Sequence, residues 1–280
     1  MNPKGRQVLA KTILRIILWL VAIMIIIPLG WTIIQSFKTT QEFFGDVWAL
    51  PASLHIENYI NAWEKANMGQ YFLNSILVTV LGVLFSLCLA VPAAYCLSRY
   101  KFIGSKMIMF IFTAGLFIQA TYVLVPLFSL LNDLKLLNNL VVLSLIYATS
   151  SLPFTIFLLS SFIRGVSRSY EEAAVMDGAN RFQIMTKVIM PLIQPGIVTI
   201  VIFNFMAYWN EFPMAFTFIL DDSKKTLPIG LQNLMEVQRF STDWGALFAG
   251  MVIVLIPIVI MYCILNEKLT EGVNVGGIKG

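Results

Sequence analysis

One acidic residue of the sequence lies deep within an apolar run. Glu211 follows Asn204 and Tyr208 at helical spacing, so a helix through this run would carry all three side chains on one face. Trp209 and Asn210 lie beside them. A carboxylate in an apolar span is costly to bury, and such residues are functional candidates for that reason. These groups could contact a polar ligand, line a water-filled cavity or form hydrogen bonds between helices.

Two further groups of polar residues interrupt apolar runs. Gln119 and Tyr122 share one helical face, and Ser150 lies close to another tyrosine and serine in the next run. Small hydroxyl groups often pack between membrane helices, which is the simpler explanation for these two groups. The candidates for a polar path through the apolar runs are therefore Asn204, Tyr208, Trp209, Asn210, Glu211, Gln119, Tyr122 and Ser150.

Residues for metal binding or nucleophilic catalysis are sparse in the sequence. The single histidine, His55, lies in a polar loop, and Cys88, Cys96 and Cys263 lie in apolar runs without zinc-site spacing. The sequence contains no Gly-x4-Gly-Lys-Ser/Thr phosphate loop. We therefore predict no catalytic residue, no metal site and no bound cofactor on this chain, so that any energy source belongs to a partner.

The composition restricts what can surround these residues. Of 280 residues, 58% are hydrophobic and 12% are charged, against about 25% charged residues in an average soluble domain. So few charged side chains cannot cover a soluble core, which argues against a soluble enzyme and against disorder. The net charge of +4 comes without a basic run, so no nucleic-acid surface is predicted. The composition predicts an all-α, polytopic membrane protein.

Six apolar runs are long enough to cross a membrane as helices, which takes about 20 residues each. The first run is too long for a signal peptide, and no small-residue cleavage site follows it. Prolines within the runs predict kinks in otherwise continuous helices. The predicted spans cover residues 13–35, 72–97, 107–131, 140–163, 197–220 and 244–265.

Positive charges flank these spans unequally. Thirteen Lys and Arg residues fall on the side of the N-terminus, the 98–106 and 164–196 loops and the tail, whereas six fall on the other side. Since positively charged loops stay in the cytoplasm, both termini are predicted to be cytoplasmic. We divide the chain into a first helix with an outer loop (1–71), a transmembrane core (72–265) and a cytoplasmic tail (266–280).

The polar loop between the fourth and fifth runs is strongly patterned. A serine can cap a helix whose first turn carries Glu171 and Glu172. Gly178 suits the left-handed residue that follows a helix. A second helix with one apolar stripe can start after Asn180 and end near Pro191. The pattern predicts a rigid helix–glycine–helix element that docks on another protein.

The same loop resembles the EAA loop of the membrane subunits of ABC importers. Glu172-Ala173-Ala174 is followed by Gly178 and by Pro191, with Val188-Ile189-Met190 in place of the usual Ile-x-Leu. Asp177-Gly178-Ala179 resembles the carbohydrate branch, the maltose-transporter-like permeases. The resemblance runs from about residue 70 to the end and includes Trp209-Asn210, Thr226-Leu227-Pro228-Ile229-Gly230-Leu231, Asp243-Trp244 and the glycine-rich tail.

The resemblance implies a type I ABC importer permease fold and a membrane subunit without chemistry of its own. In this family the loop forms a coupling helix in a cleft of a cytoplasmic ATPase. The resemblance assigns the contact with the ATPase to the residues of this chain that lie in the matching loop, which are Glu171, Glu172, Ala173, Ala174, Asp177, Gly178 and Pro191.

The resemblance also implies a set of partners in a prokaryotic cytoplasmic membrane. They are a second, homologous permease, two copies of an ATPase that binds ATP and magnesium, and an extracellular or periplasmic sugar-binding protein. A sugar would then meet aromatic, amide and carboxylate groups at Tyr208, Asn204 and Glu211.

Three alternatives stay open at this point. The same permease architecture would also serve a non-sugar solute. An ion-coupled secondary transporter would need intramembrane charge pairs and inverted repeats, and neither is visible in the sequence. An intramembrane enzyme would need a nucleophile–base pair or a metal cluster, which His55 and Glu211 do not supply.

Overall fold

The computed structural model describes residues 3–65, 67–237 and 243–276, which form helices and short connections and contain no strand. The chain groups into two compact units. The first comprises Met1–Met68 and Leu231–Leu255, and the second comprises Gly69–Gly230 and Ile256–Gly280. Each unit is therefore assembled from segments that are distant in sequence. The last residues of the predicted tail, 277–280, lie outside the described part of the chain.

The described residues form fourteen α-helices, some of them joined by short 3-10 or π turns. In chain order they are α1 (Pro3–Gln35), α2 (Thr40–Gly45), α3 (Glu57–Ile60), α4 (Met68–Arg99), α5 (Ser105–Gly115), α6 (Leu124–Asp133), α7 (Leu140–Gly165), α8 (Ser169–Met176), α9 (Arg181–Gln183), α10 (Met190–Leu192), α11 (Gln194–Trp209), α12 (Pro213–Phe218), α13 (Leu227–Val237) and α14 (Trp244–Gly276).

An aromatic cluster holds the first unit together. The rings of Phe43 and Trp244 stack with centroids 5.0 Å apart, and Trp31 meets Phe248 edge-on at 5.4 Å. Such ring pairs add stabilisation beyond their buried area. Beside the end of α1, buried Asn58 donates hydrogen bonds to two backbone carbonyls at 2.9 Å each. The α1–α2 connection is therefore fixed by α3.

The core of the second unit forms where α4, α7 and α11 pack against one another. Ala90 and Ala94 of α4 are fully buried, and their small side chains let α4 approach its neighbours closely. Leu159 and Ile163 of α7 and Ile200 of α11 fill the same cluster. These three helices thus provide the frame on which the candidate site residues are held.

Four helices of the described chain are long and apolar enough to cross a membrane. They are α1 from Lys11, α4, α7 and α14 up to Ile264. A fifth crossing is possible if the bent pair Arg181–Leu192 and Gln194–Trp209, with an angle of 78°, counts as one span. The structure thus agrees with the all-helical, multi-span prediction but contains fewer uninterrupted spans than the six predicted.

The third and fifth predicted spans, 107–131 and 197–220, are not continuous helices. The third is divided between α5 and α6, and the fifth between α11 and α12. In each case a proline, Pro126 or Pro213, occupies the first turn of the second helix. At Pro213 the missing N–H and the clash with the preceding turn end α11 and start α12, whereas the break after α5 lies at residues 116–119, upstream of Pro126. The prediction of a mere kink at these two prolines was wrong.

Candidate functional site

The predicted helix–glycine–helix element is present in the structure. Helix α8 carries Glu171 and Glu172 in its first turn, where the helix dipole favours negative charge. The helix ends at Met176, and Gly178 follows two residues later with a φ of 81°, a left-handed conformation that suits glycine. The Ala179 N–H then donates to the Ala174 carbonyl at 2.9 Å and closes the turn. The sequence prediction for this turn is confirmed.

The second arm starts with a reciprocal cap. The Asn180 side chain accepts from the Gln183 N–H at 2.9 Å, and the Gln183 side chain accepts from the Asn180 N–H at 2.8 Å. Helix α9 begins there and continues through a π turn into α10, which contains Pro191. After Ile193 the chain bends by 78° into α11. The element therefore leads directly into the helix that carries the polar path candidates.

The side chains of α8 and of Asp177, which follows it, differ in their exposure. Glu172, Ala173 and Asp177 are exposed, and Met176 is 87% exposed. Glu171 and Ala174 are partly buried. The exposed residues therefore offer a carboxylate, a small residue and an apolar side chain to a partner.

Beside α8 lies a cleft of about 590 Å³, bordered both by the partly buried Glu171 and by the exposed Glu172 and Met176. An ion pair lies in its wall, with Arg99 Nε 2.5 Å from Glu171 Oε1. The Tyr95 hydroxyl donates to Glu171 Oε2 at 3.1 Å, and Arg99 Nη2 donates to the Val166 carbonyl at 2.8 Å. The cleft is lined by Tyr95, Arg99, Tyr100, Arg168, Glu171, Glu172, Val175, Met176, Arg181 and Ile184.

The second arm also contacts the end of α4. The Arg181 guanidinium lies 4.9 Å from the centroid of the Tyr100 ring, within range of a cation–π interaction. The Tyr100 ring meets that of Tyr95 edge-on at 5.6 Å. Both arms of the helix–glycine–helix element are thus joined to one end of one long helix. Neither the contact of Arg181 with Tyr100 nor that of Tyr100 with Tyr95 could be predicted from spacing or hydropathy.

Among the path candidates, Asn204 bridges three helices. It is 2% exposed, and its Nδ2 donates to Ser86 Oγ of α4 at 2.9 Å and to Thr155 Oγ1 of α7 at 3.2 Å. Such polar side chains join membrane helices that share no hydrophobic driving force. Small hydroxyls within apolar runs were the only sequence signal for Ser86 and Thr155.

Tyr208 and Trp209 are also buried within the chain. The Tyr208 hydroxyl is hydrogen-bonded to Ser151 of α7, and the edge of its ring faces Gly82, where an added Cβ would lie 3.0 Å from the ring. Trp209 is 1% exposed and stacks on Phe205 with centroids 5.6 Å apart. In this conformation the two rings pack between helices.

Glu211 lies beyond the end of α11, so it does not share a helical face with Asn204 and Tyr208 as predicted. Its two carboxylate oxygens accept from the N–H groups of Met214 at 2.7 Å and Ala215 at 3.0 Å. The carboxylate therefore caps the first turn of α12, which Pro213 begins.

A tyrosine of α7 completes the surroundings of this carboxylate. The Tyr147 hydroxyl donates to Glu211 Oε2 at 2.6 Å. The neighbouring Asn210 is exposed, and its side chain donates to the Met206 carbonyl at 2.8 Å. At the break between α11 and α12, the Glu211 side chain is thus held between helices, whereas that of the adjacent Asn210 is exposed.

The remaining candidates lie on the outside of the chain. Gln119 and Ser150 are exposed, and Tyr122 is 74% exposed. Gln119 and Tyr122 lie at the break between α5 and α6. The structure therefore brings Asn204, Tyr208 and Glu211 into contact with α7, whereas Ser150 lies on the exposed side of α7 and Gln119 and Tyr122 lie at the α5–α6 break.

Comparisons of the sequence and of the fold with known proteins identify the family of this chain. Residues 82–273 match the family described as "Binding-protein-dependent transport system inner membrane component". Over 261 residues, 93% of this chain and 86% of the relative, the sequence is 36% identical to the diacetylchitobiose uptake system permease protein NgcG of Streptomyces coelicolor. Over 277 residues, 98% and 99% of the two chains, it is 31% identical to the trehalose/maltose transport system permease protein MalG of Thermococcus litoralis.

The fold has a counterpart among solved structures. A chain in the crystal structure of a bacterial ABC transporter involved in the import of the acidic polysaccharide alginate matches it with a TM-score of 0.81 and 25% identity. The match covers 95% of this chain and 98% of that one. Helical architecture, EAA loop and family match agree, and the chain belongs to the binding-protein-dependent inner membrane components, the permeases of ABC importers.

Proposed function

We propose that this chain is the permease subunit of an ATP-driven importer of a sugar or oligosaccharide. The observation that carries the proposal is the exposure of Glu172 and Met176 on α8, in an element that leads into the transmembrane helices. The sugar class rests on relatives that are named for diacetylchitobiose and for trehalose and maltose. The membrane is that of a prokaryotic cell, as in those relatives.

The proposed assembly contains four kinds of component. This chain pairs with a second, homologous permease, and each permease presents its coupling loop to one copy of an ATPase. ATP and magnesium are held by the ATPase subunits, so this chain contributes no catalytic step. A sugar-binding protein delivers the substrate from outside, as in the alginate importer solved in complex with an oligosaccharide-bound periplasmic protein.

We further propose that conformational change opens the polar path between helices. Asn204, Tyr208 and Glu211 hold α4, α7 and α11 together in the structure. When these helices separate during transport, the same amide, ring and carboxylate would face the sugar. Asn210, Gln119, Tyr122 and Ser150 are already exposed and would contact the partner permease, lipid or the entering solute.

The test is purification of the tagged chain from its native membrane. The complex is expected to contain a second permease and an ATPase. In vesicles, sugar-loaded binding protein should accelerate ATP hydrolysis and drive uptake of labelled oligosaccharides. Uptake that depends on an ion gradient and not on ATP would contradict the proposal. ATP-driven uptake of another solute in place of sugars would retain the permease role and overturn the substrate class.

The proposed topology has six crossings with both termini in the cytoplasm. It places the 98–106 loop inside and the 221–225 segment outside. Single cysteines at Lys101 and Lys224, in a chain without the three native cysteines, test it with a membrane-impermeant thiol reagent on intact cells. Both positions are accessible in the structure. We expect labelling at 224 alone before permeabilisation, and labelling at 101 alone would reverse the orientation.

A further inference from the structure

We infer that Arg99 and Glu171 are positioning residues that join the coupling helix to α4, so that the two move as one body. This inference rests on the proposed function, because it names how motion of the ATPase reaches the transmembrane helices. It assigns different tasks to the adjacent glutamates of α8. Glu172 is exposed and available to a partner, whereas Glu171 is partly buried and holds α8 to its own chain.

The contact between Arg99 and Glu171 is shielded from solvent. The side chain of Arg99 is 6% exposed and that of Glu171 is 16% exposed. Breaking a partly buried ion pair leaves one charge without its partner, which is more costly than losing a surface pair. The pair is therefore expected to persist when α8 is pulled or pushed by a docked protein.

Arg99 also joins a third element to this contact. Its Nη2 donates to the carbonyl of Val166, the residue that ends α7. A cation at a helix C-terminus is favoured by the helix dipole. Arg99 therefore holds the end of α4, the end of α7 and the first turn of α8 in one place. A single side chain thus fixes the position of α8 relative to two long helices.

The second arm makes an independent contact with the same region. Arg181 lies over the Tyr100 ring, and Tyr100 packs edge-on against Tyr95, whose hydroxyl returns to Glu171. Both sides of the Gly178 turn are thereby connected to the same end of α4. A displacement of the turn would be passed to α4 rather than absorbed by bending of the loop.

Substitutions at Arg99 and Glu171 separate this role from simple stabilisation. Arg99→Ala and Glu171→Gln are expected to lower sugar uptake per ATP hydrolysed by about tenfold, the size of a strong coupling effect. Binding of the ATPase should stay normal, because the exposed Glu172 and Met176 are unchanged. Arg99→Lys keeps the charge and should stay within about threefold of the wild type. The exchanged pair Arg99→Glu with Glu171→Arg should recover part of the loss of either single variant.

A distance measurement tests the connection without relying on transport. Spin labels at Lys101 and Val175 report the separation of the end of α4 from α8, and both residues are exposed. In the purified chain we expect one narrow distance distribution that broadens in Arg99→Ala. With the ATPase present, the wild-type distance should be the same with and without trapped ATP. A wild-type distance that changes between the two states would overturn the inference.

A matched control is the ion pair between Lys225 and Asp222, whose atoms are also 2.5 Å apart but whose Asp side chain is 82% exposed. Asp222→Ala should leave the uptake-to-hydrolysis ratio unchanged. Normal ratios in both Arg99→Ala and Glu171→Gln, in a complex that transports, would also contradict the inference. A chain that recruits no ATPase at all would instead contradict the proposed function, while the label distances would still decide whether Arg99 fixes α8.

Discussion

Gly178→Val is expected to lower uptake by at least about tenfold while the chain still inserts and folds. Gly178 has a φ of 81°, and an added Cβ would meet no atom within 4 Å. The effect therefore comes from the backbone alone: a left-handed conformation costs about 1–2 kcal/mol for a residue with a side chain. A β-branched residue is disfavoured further. The turn should re-form with α8 displaced, and uptake should fall by about tenfold or more, since about 1.4 kcal/mol corresponds to a factor of ten.

Three control variants isolate this effect. Gly178→Asn should retain most uptake, because asparagine tolerates the left-handed region better than valine does. Gly104→Val places the same strain at a φ of 90° in a different loop, and Gly165→Val adds a side chain in open space without a positive φ. Uptake and ATPase co-purification of each variant provide the measurement. Normal uptake by Gly178→Val would show that the geometry of this turn is not needed for coupling.

Glu211→Gln is expected to weaken the fold as well as transport. Oε1 accepts the Met214 N–H, and Oε2 accepts both the Ala215 N–H and the Tyr147 hydroxyl. The glutamine side chain has only one acceptor oxygen. Its NH₂ group would therefore face either the Met214 N–H or the Ala215 N–H and the Tyr147 hydroxyl, all of which are donors. Hydrogen bonds to a charged group contribute about 1.5–3 kcal/mol each. We expect the midpoint of thermal unfolding of the purified chain to fall by about 5 °C, measured without sugar.

The comparison with neighbouring variants shows which role Glu211 has. Tyr147→Phe removes one of the three hydrogen bonds and should have a smaller effect on thermal unfolding. Asn210→Ala removes an exposed side-chain amide whose described hydrogen bond is to the Met206 carbonyl. This variant should have little effect on stability. If Glu211→Gln is as stable as the wild type but fails to transport, the carboxylate acts on the solute and not as the cap of α12.

Features that depend on local chemistry could be predicted from the sequence. The Gly178 turn and the start of a second helix after Asn180 follow from side chains within a few residues of one another, and both occur as predicted. The predicted serine cap of α8 was wrong, because its N-cap residue is Arg168 and makes no side-chain cap hydrogen bond. The all-helical class and the family likewise follow from composition and from the EAA pattern. In these cases no information about distant parts of the chain was needed.

Features that depend on tertiary packing could not be predicted in the same way. The placement of Glu211 assumed a helix continuous to residue 220, whereas Pro213 ends α11 and starts α12. Arg99 was counted only as a positive charge near a membrane boundary, and its partner Glu171 lies 72 positions along the chain. Neither spacing nor hydropathy connects such residues, because the contact exists only once α4, α7 and α8 are packed together.

The two-segment composition of the first unit has a consequence for biosynthesis. Trp31 and Phe43 pack against Trp244 and Phe248, which leave the ribosome more than 200 residues after Trp31. At a synthesis rate of about 5–20 residues per second, Trp31 and Phe43 are made roughly 10–40 s before the aromatic residues that they pack against. During that interval the nascent chain keeps large aromatic surfaces uncovered at the membrane. Insertion of the N-terminal helix therefore precedes its packing. Any factor that shields nascent membrane segments would have to cover this N-terminal segment for longer than later ones.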